Sequence, residues 1–185
     1  MEMQKINVVG TSGSGKSTFS QKLAKTLNYP YLEMDAIYWQ PNWQESSDEE
    51  FMAALNSELA QPNWVLDGNY NRTISVKWAE VDTVIWIDYS FPRTVFQAVK
   101  RAIKRSLSGT ELWAGTGNIE TFQKCFFSRD SIILWTLSTF KSNRKRYQAM
   151  FADPQYQHIN FIRLTSPKKA QGFINQHIQQ QQQTA

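Results

Sequence analysis

The sequence predicts an α/β domain, a parallel sheet with helices on both faces. Three observations carry this. Short β-branched or apolar runs alternate with stretches of helical periodicity along all 185 residues, the pattern that gives a parallel sheet. The first run, Lys5-Ile6-Asn7-Val8-Val9, leads straight into Gly10-Thr11-Ser12-Gly13-Ser14-Gly15-Lys16-Ser17-Thr18, which fits G-x-x-x-x-G-K-[ST]. Two later apolar runs end in aspartate, and open α/β sheets bind ligands beyond the carboxyl ends of their strands.

The spacing of the loop has a physical basis. Glycines let the backbone turn tightly and approach a bulky anion. Consecutive N–H groups then point into one concave nest. The helix that follows adds its positive end. Lys16 is placed to reach the outer phosphates of ATP, and the Ser17 hydroxyl to ligate Mg²⁺. Phe19, Leu23 and Leu27 recur at helical spacing behind the loop.

Asn28-Tyr29-Pro30 ends that helix. Tyr31-Leu32-Glu33-Met34 reads as a second strand ending at Asp35. Asp35 is then either a turn cap or a carboxylate that orients or deprotonates an acceptor hydroxyl. Trp39, Pro41, Asn42 and Trp43 form a loop whose rings either line an acceptor pocket or pack the loop onto the domain. Ser47 and Glu50 make a capping box for a helix with Phe51, Leu55 and Leu59 as its apolar stripe; Gln61-Pro62 ends it.

Trp64-Val65-Leu66-Asp67-Gly68 is the third strand and its exit. A carboxylate on a rigid strand end suits an Mg²⁺ anchor, so Asp67 joins Ser17 as a metal candidate. Arg72, a few residues on, either forks onto a substrate phosphate or makes a surface ion pair. Asp82-Thr83-Val84-Ile85-Trp86-Ile87-Asp88 is the fourth strand. It feeds a helix from Pro92 to about Ser108, so Asp88 is expected farther from the metal than Asp67. Val95, Val99, Ala102 and Ile103 are its expected buried face. Arg93, Gln97, Arg101 and Arg105 lie four apart on another, as a phosphate clamp or as a solvated basic face. Gly109 to Asn118 reads as a mobile loop. A second helical region carries Phe126, Phe127, Ile132, Ile133, Trp135 and Leu137, then Lys141, Arg144, Lys145 and Arg146. Phe161-Ile162-Arg163-Leu164 is the fifth strand, leading into Thr165-Ser166-Pro167 and a last helix. The glutamine-rich tail, 179–185, is expected to fray.

Residues 1–88 hold 6 Lys/Arg against 12 Asp/Glu, and residues 89–185 hold 14 against 4. The basic half suits phosphorylated ligands. Nucleic acid fits that charge, but no nucleic-acid-binding motif accompanies it. A single cysteine, Cys125, allows no internal disulfide and fits a reducing compartment. The first strand starts too early for a signal peptide, and no apolar run is long enough to span a bilayer. The sequence therefore predicts one domain, cytoplasmic, with no membrane partner.

Strands alternating with helices behind a phosphate loop resemble the nucleoside-monophosphate-kinase branch of P-loop proteins. Leu66-Asp67-Gly68-Asn69-Tyr70-Asn71-Arg72-Thr73 is similar to the L-D-G-F-P-R-T of adenylate kinases, with Asn69-Tyr70-Asn71 departing from it. Met34-Asp35, Trp39 to Trp43 and Asp67-Gly68-Asn69-Tyr70 resemble the DNA topology modulation (FlaR-like) group within that branch. The resemblance implies a P-loop NTPase three-layer sandwich with sheet order 2-3-1-4-5 and a lid at about residues 106–125. It implies that Ser166 and Pro167 touch adenine. It makes Lys16, Asp35, Arg101 and Arg105 the catalytic candidates, with Arg129 as a further closing charge. Asp35, Trp39 and Arg72 would bind the acceptor. The implied activity is transfer of phosphate from Mg·ATP to a small molecule, a hydroxyl-bearing metabolite or a nucleotide. A nucleic-acid-linked ATPase and a non-catalytic nucleotide-binding protein are the alternatives.

Overall fold

A computed structural model describes residues 3–126 and 131–184, with no side chain described at positions 124, 132 and 180–184. Phe127 and Arg129 fall outside the described residues, as do most side chains of the glutamine-rich tail. The chain begins β1 (Lys5–Val9), α1 (Lys16–Leu27), β2 (Tyr31–Glu33), α2 (Met34–Tyr38), β3 (Trp39–Gln40), β4 (Gln44–Glu45) and α3 (Asp48–Leu59). It continues β5 (Trp64–Asp67), α4 (Ile74–Lys77), β6 (Thr83–Ile87) and α5 (Phe91–Ser108), then α6 (Phe122–Phe126), α7 (Ile132–Ala152), β7 (Asn160–Leu164) and α8 (Pro167–Thr184).

The main sheet is parallel, in the order β2-β5-β1-β6-β7. Counting its own strands along the chain, that is 2-3-1-4-5, as the resemblance implies. Residues alternate across the sheet because successive side chains of a strand point to opposite faces. Ile6, Val8, Val65, Ile85 and Ile87 pack with Phe19 and Leu23 of α1 and Ile174 of α8. Trp64, Leu66, Val84 and Trp86 pack on the other face with Phe51 and Leu55 of α3 and Tyr147 of α7. Three layers result. No helix among the described residues is long and apolar enough to cross a membrane.

Three expectations are corrected. Strand β2 stops at Glu33 instead of running on to Met34. Met34 and Tyr38, four apart, are both buried, so the chain turns helical to keep both on the core side, and Asp35 enters the first turn of α2. A two-stranded hairpin, β3 with β4, follows where the sequence suggests only a loop. On α5 the buried residues are Thr94, Ala98 and Ala102, whereas Ile103 is 41% exposed. The helix presents small residues inward because the phosphate loop presses against it. A Cβ built on Gly13 would lie 2.7 Å from the Ala98 Cβ.

The capping box of α3 forms as expected. The Ser47 Oγ accepts from the Glu50 N–H, and the Glu50 carboxylate accepts from the Ser47 N–H.

Candidate active site

The site grows from the carboxyl edge of the sheet. Register sets Val8 of β1 opposite both Asp67 and Ile85. The phosphate loop therefore leaves β1 directly beside Asp67. Gly15 caps α1 in the left-handed region (φ 91°), a conformation that a side chain disfavours. The Lys16 Nζ lies 3.6 Å from the Asp67 Oδ1, and the Asp67 side chain is only 2% exposed. The other carboxylate oxygen accepts a hydrogen bond of 3.1 Å from the Tyr31 hydroxyl. Burial, and then Asp67 and Glu33, push the Tyr31 pKa well up, so it stays a donor.

Several polar groups around this point are buried without a hydrogen-bond partner: Ser14 Oγ, Asp67 Oδ1, Gln97 Oε1 and Arg101 Nε. Buried polar atoms are normally satisfied, and here four without a partner cluster around one loop. The Arg101 guanidinium reaches the loop, donating to the Ser12 Oγ at 3.0 Å. Its pKa is lowered, first by burial and then by Arg105. Arg105 pairs with Glu120 at 3.1 Å. Of the arginine row, Arg101 faces the phosphate loop, Arg105 is tied to Glu120 between α5 and α6, and Arg93 is exposed.

The acid-lined side lies next to this. Asp35 Oδ1 accepts from the Tyr70 hydroxyl at 2.8 Å, leaving its second oxygen for other partners. Burial, then Asp67 and Asp35, raise the Glu33 pKa, and a hydrogen bond from Trp113 opposes the rise. Trp113 belongs to the loop between α5 and α6. The same loop is clipped to the hairpin: Asn42 N–H donates to Thr116 O at 3.1 Å, and Trp43 N–H to Asn118 Oδ1 at 2.7 Å. The Asn118 Nδ2 donates to Gln40 O at 3.0 Å. These bonds hold Asn42 and Trp43 at φ 59° and 61°; asparagine tolerates the left-handed region, whereas for Trp43 it costs about 1–2 kcal/mol. Trp39, Trp43 and Trp113 stack edge to face in sequence. A loop that reads as mobile is therefore held by specific bonds.

Other candidates stand elsewhere. Arg72 pairs with Asp48 at 3.2 Å and lies over the Tyr38 ring at 4.8 Å; its described contacts are those of a surface ion pair. Asp88 is held by Arg163 (Nε at 2.8 Å) and by Arg144 at 3.3 Å. Ser166 caps the start of α8, accepting from Lys169 N–H at 3.3 Å, with Pro167 exposed beside it.

Sequence reasoning missed the polar groups beneath the site. Asn7, fully buried in β1, donates to Leu66 O at 3.0 Å and Gly68 O at 3.2 Å, and accepts from the Trp78 indole. Its only signal is a polar residue inside an apolar strand. Lys77 is 1% exposed. It donates to Asn69 O, and burial, with Arg146 nearby, lowers its pKa to about 7. A base with a depressed folded pKa favours the native state when neutral, so its contribution is full above the unfolded value. It is lost as pH falls to about 7. Lys77→Met should therefore gain most over the parent at pH 7 and below. Urea unfolding at pH 7 and pH 10 should show that advantage shrinking as pH rises; an advantage independent of pH would mean Lys77 is charged throughout.

These features define a kinase-like α/β P-loop fold. A shikimate kinase from Acinetobacter baumannii, solved in complex with shikimate, superposes with a TM-score of 0.56 over 98% of this chain and 94% of that one, at 14% identity. In sequence, the chain is 31% identical over 124 residues to a shikimate kinase from Synechococcus sp., covering 60% of this chain and 61% of that protein. It is 41% identical over 56 residues to a cytidylate kinase from Chlamydia muridarum, 26% of each chain. The matched part thus spans about a quarter of the cytidylate kinase and under two thirds of the shikimate kinase. No family model matches.

Proposed function

We propose that the chain transfers the γ-phosphate of Mg·ATP to a hydroxyl of a small-molecule acceptor. The observation that carries this is the Lys16–Asp67 pair at the mouth of the phosphate loop, with one Asp67 oxygen buried and lacking any hydrogen bond. The relatives named above are kinases of small molecules or nucleotides, which supports the reading.

That orphaned oxygen fits a metal or a metal-bound water, so Asp67 and Ser17 are the residues that would hold Mg²⁺. When bound, the ion neutralises charge on the β- and γ-phosphoryl oxygens. The protein's own share is positioning and charge. Loop N–H groups and Lys16 hold the donor phosphates. Arg101, fixed by Ser12, offers its guanidinium to the moving group. Arg105 joins only by exchanging Glu120 for phosphate. Asp35, oriented by Tyr70, accepts the acceptor's hydroxyl proton through its free oxygen. Trp113 and Trp39 wall the acceptor side, and Ser166 and Pro167, which follow β7, would meet the adenine.

Asp35→Asn should lower acceptor-dependent transfer about 10²-fold or more and leave Mg·ATP affinity within about threefold. Single-turnover kinetics beside calorimetry read both; transfer at the parent rate would make Asp35 a helix residue only.

The basic cluster at residues 141–146 gives the nucleic-acid reading little support. Arg144 is engaged by Asp88, and Arg146 bonds Asn143 and lies over Tyr147. Only Lys141 and Lys145 of that cluster are exposed.

A further inference from the structure

Strands β1 and β5 run paired as far as Val8 and Asp67, with Gly68 N–H donating to Val8 O at 3.2 Å. Beyond that point their backbones must part, because one becomes the phosphate loop and the other the acceptor-side loop. Parting leaves the N–H and C=O of Gly10 without a ladder partner. Both are instead met by one side chain. The Asn69 Nδ2 donates to Gly10 O at 2.8 Å, and Gly10 N–H donates to Asn69 Oδ1 at 3.0 Å.

Asn69 is itself held from two sides. The Tyr147 hydroxyl of α7 donates to the same Oδ1 at 2.9 Å, and buried Lys77 donates to its main-chain oxygen. Two donors on one atom fix which end of the amide is oxygen. The residue sits two places after Asp67, at a position where the adenylate-kinase-like run departs from its pattern.

We propose that Asn69 is a positioning residue: its side-chain amide replaces the next rung of the β1–β5 ladder and fixes the phosphate loop at the distance from Asp67 that nucleotide binding requires. It acts without touching the nucleotide. The inference rests on the phosphate-loop reading above, and goes beyond it by naming what seats the loop. The chemistry demands an amide. Leucine offers neither donor nor acceptor. An aspartate keeps the acceptor but sets a carboxylate against Gly10 O, losing the donor until it is protonated.

The test is calorimetric Mg·ATP binding by the full chain, with melting temperatures measured alongside. Asn69→Leu and Asn69→Asp should each lose at least about tenfold in affinity. Tyr147→Phe, which leaves both Gly10 bonds intact, should stay within about threefold. Leu55→Ala, in the core of α3, should melt lower than the parent while binding normally. Parental affinity in Asn69→Leu, or an affinity loss in Leu55→Ala equal to that in Asn69→Leu, would overturn the proposal. A parent chain that binds no Mg·ATP would instead overturn the phosphate-loop reading and this one with it.

Discussion

Lys16→Ala is expected to reduce phosphoryl transfer by about 10²–10³-fold, the usual consequence of losing one charge-stabilising donor at a transferring group. It should also weaken triphosphate binding at least tenfold. Two effects add here. The ammonium no longer meets the outer phosphates. In addition, Asp67, 2% exposed and 3.6 Å from the missing group, stays behind as a buried carboxylate facing an incoming anion. Leaving one half of a buried pair is costly. The two effects separate in a double variant. With metal-free ADP, adding Asp67→Asn to Lys16→Ala should recover part of the lost affinity. With Mg·ATP it should not, because the same carboxylate is needed for the ion. Recovery in both titrations would remove Asp67 from the metal site.

Gly13→Ala is the second large effect, and it acts on the fold and the site at once. Gly13 sits at φ +79°, and an added Cβ would lie 2.7 Å from the Ala98 Cβ and 2.8 Å from Thr94 O. The left-handed backbone costs about 1–2 kcal/mol with a side chain. Overpacking adds about 1–3 kcal/mol, since a helix carbonyl cannot swing aside. For a chain of this size the sum lowers the melting temperature by roughly 5–15 °C. ATP binding should fall with it, because the loop must leave α5 and Arg101 to make room. Ala98→Gly in the same chain should return only the part of the clash made with the Ala98 methyl, leaving the contact with Thr94 O and the backbone cost. Gly172→Ala, where nothing lies within 4 Å of the new methyl, should be neutral or stabilise by up to about 1 kcal/mol. A Gly13→Ala chain that melts with the parent would mean the loop is not packed against α5.

The parts of this molecule that could be read in advance are those where one local rule decides. Residues 5–18 combine a β run, a fixed glycine spacing and a helical stripe, and all three agree. The box at Ser47 and Glu50 closes within one turn, so it is legible at short range. Strand β5, Trp64–Asp67, is a continuous apolar run with a turn signal at each end. What stayed hidden depends on distant partners. Helix α2 is five residues long, too short to show a period, and it exists because Met34 and Tyr38 share one side of the core. The inward face of α5 follows the closeness of Gly13, 85 residues away in the case of Ala98. Asn69 looks like a turn residue until the parted strands put Gly10 beside it. Arg72 matches a kinase pattern letter for letter, yet Asp48 and the Tyr38 ring hold it.

The central claim is that the Lys16–Asp67 site moves phosphate from ATP to a small molecule. It is tested most directly by incubating the chain with Mg·ATP labelled with ¹⁸O on the γ-phosphoryl group and a metabolite extract, followed by mass spectrometry. The expected result is a labelled phosphomonoester made by the parent chain and missing with Lys16→Ala. Label found only in inorganic phosphate, with hydrolysis quickened by added DNA, would contradict it.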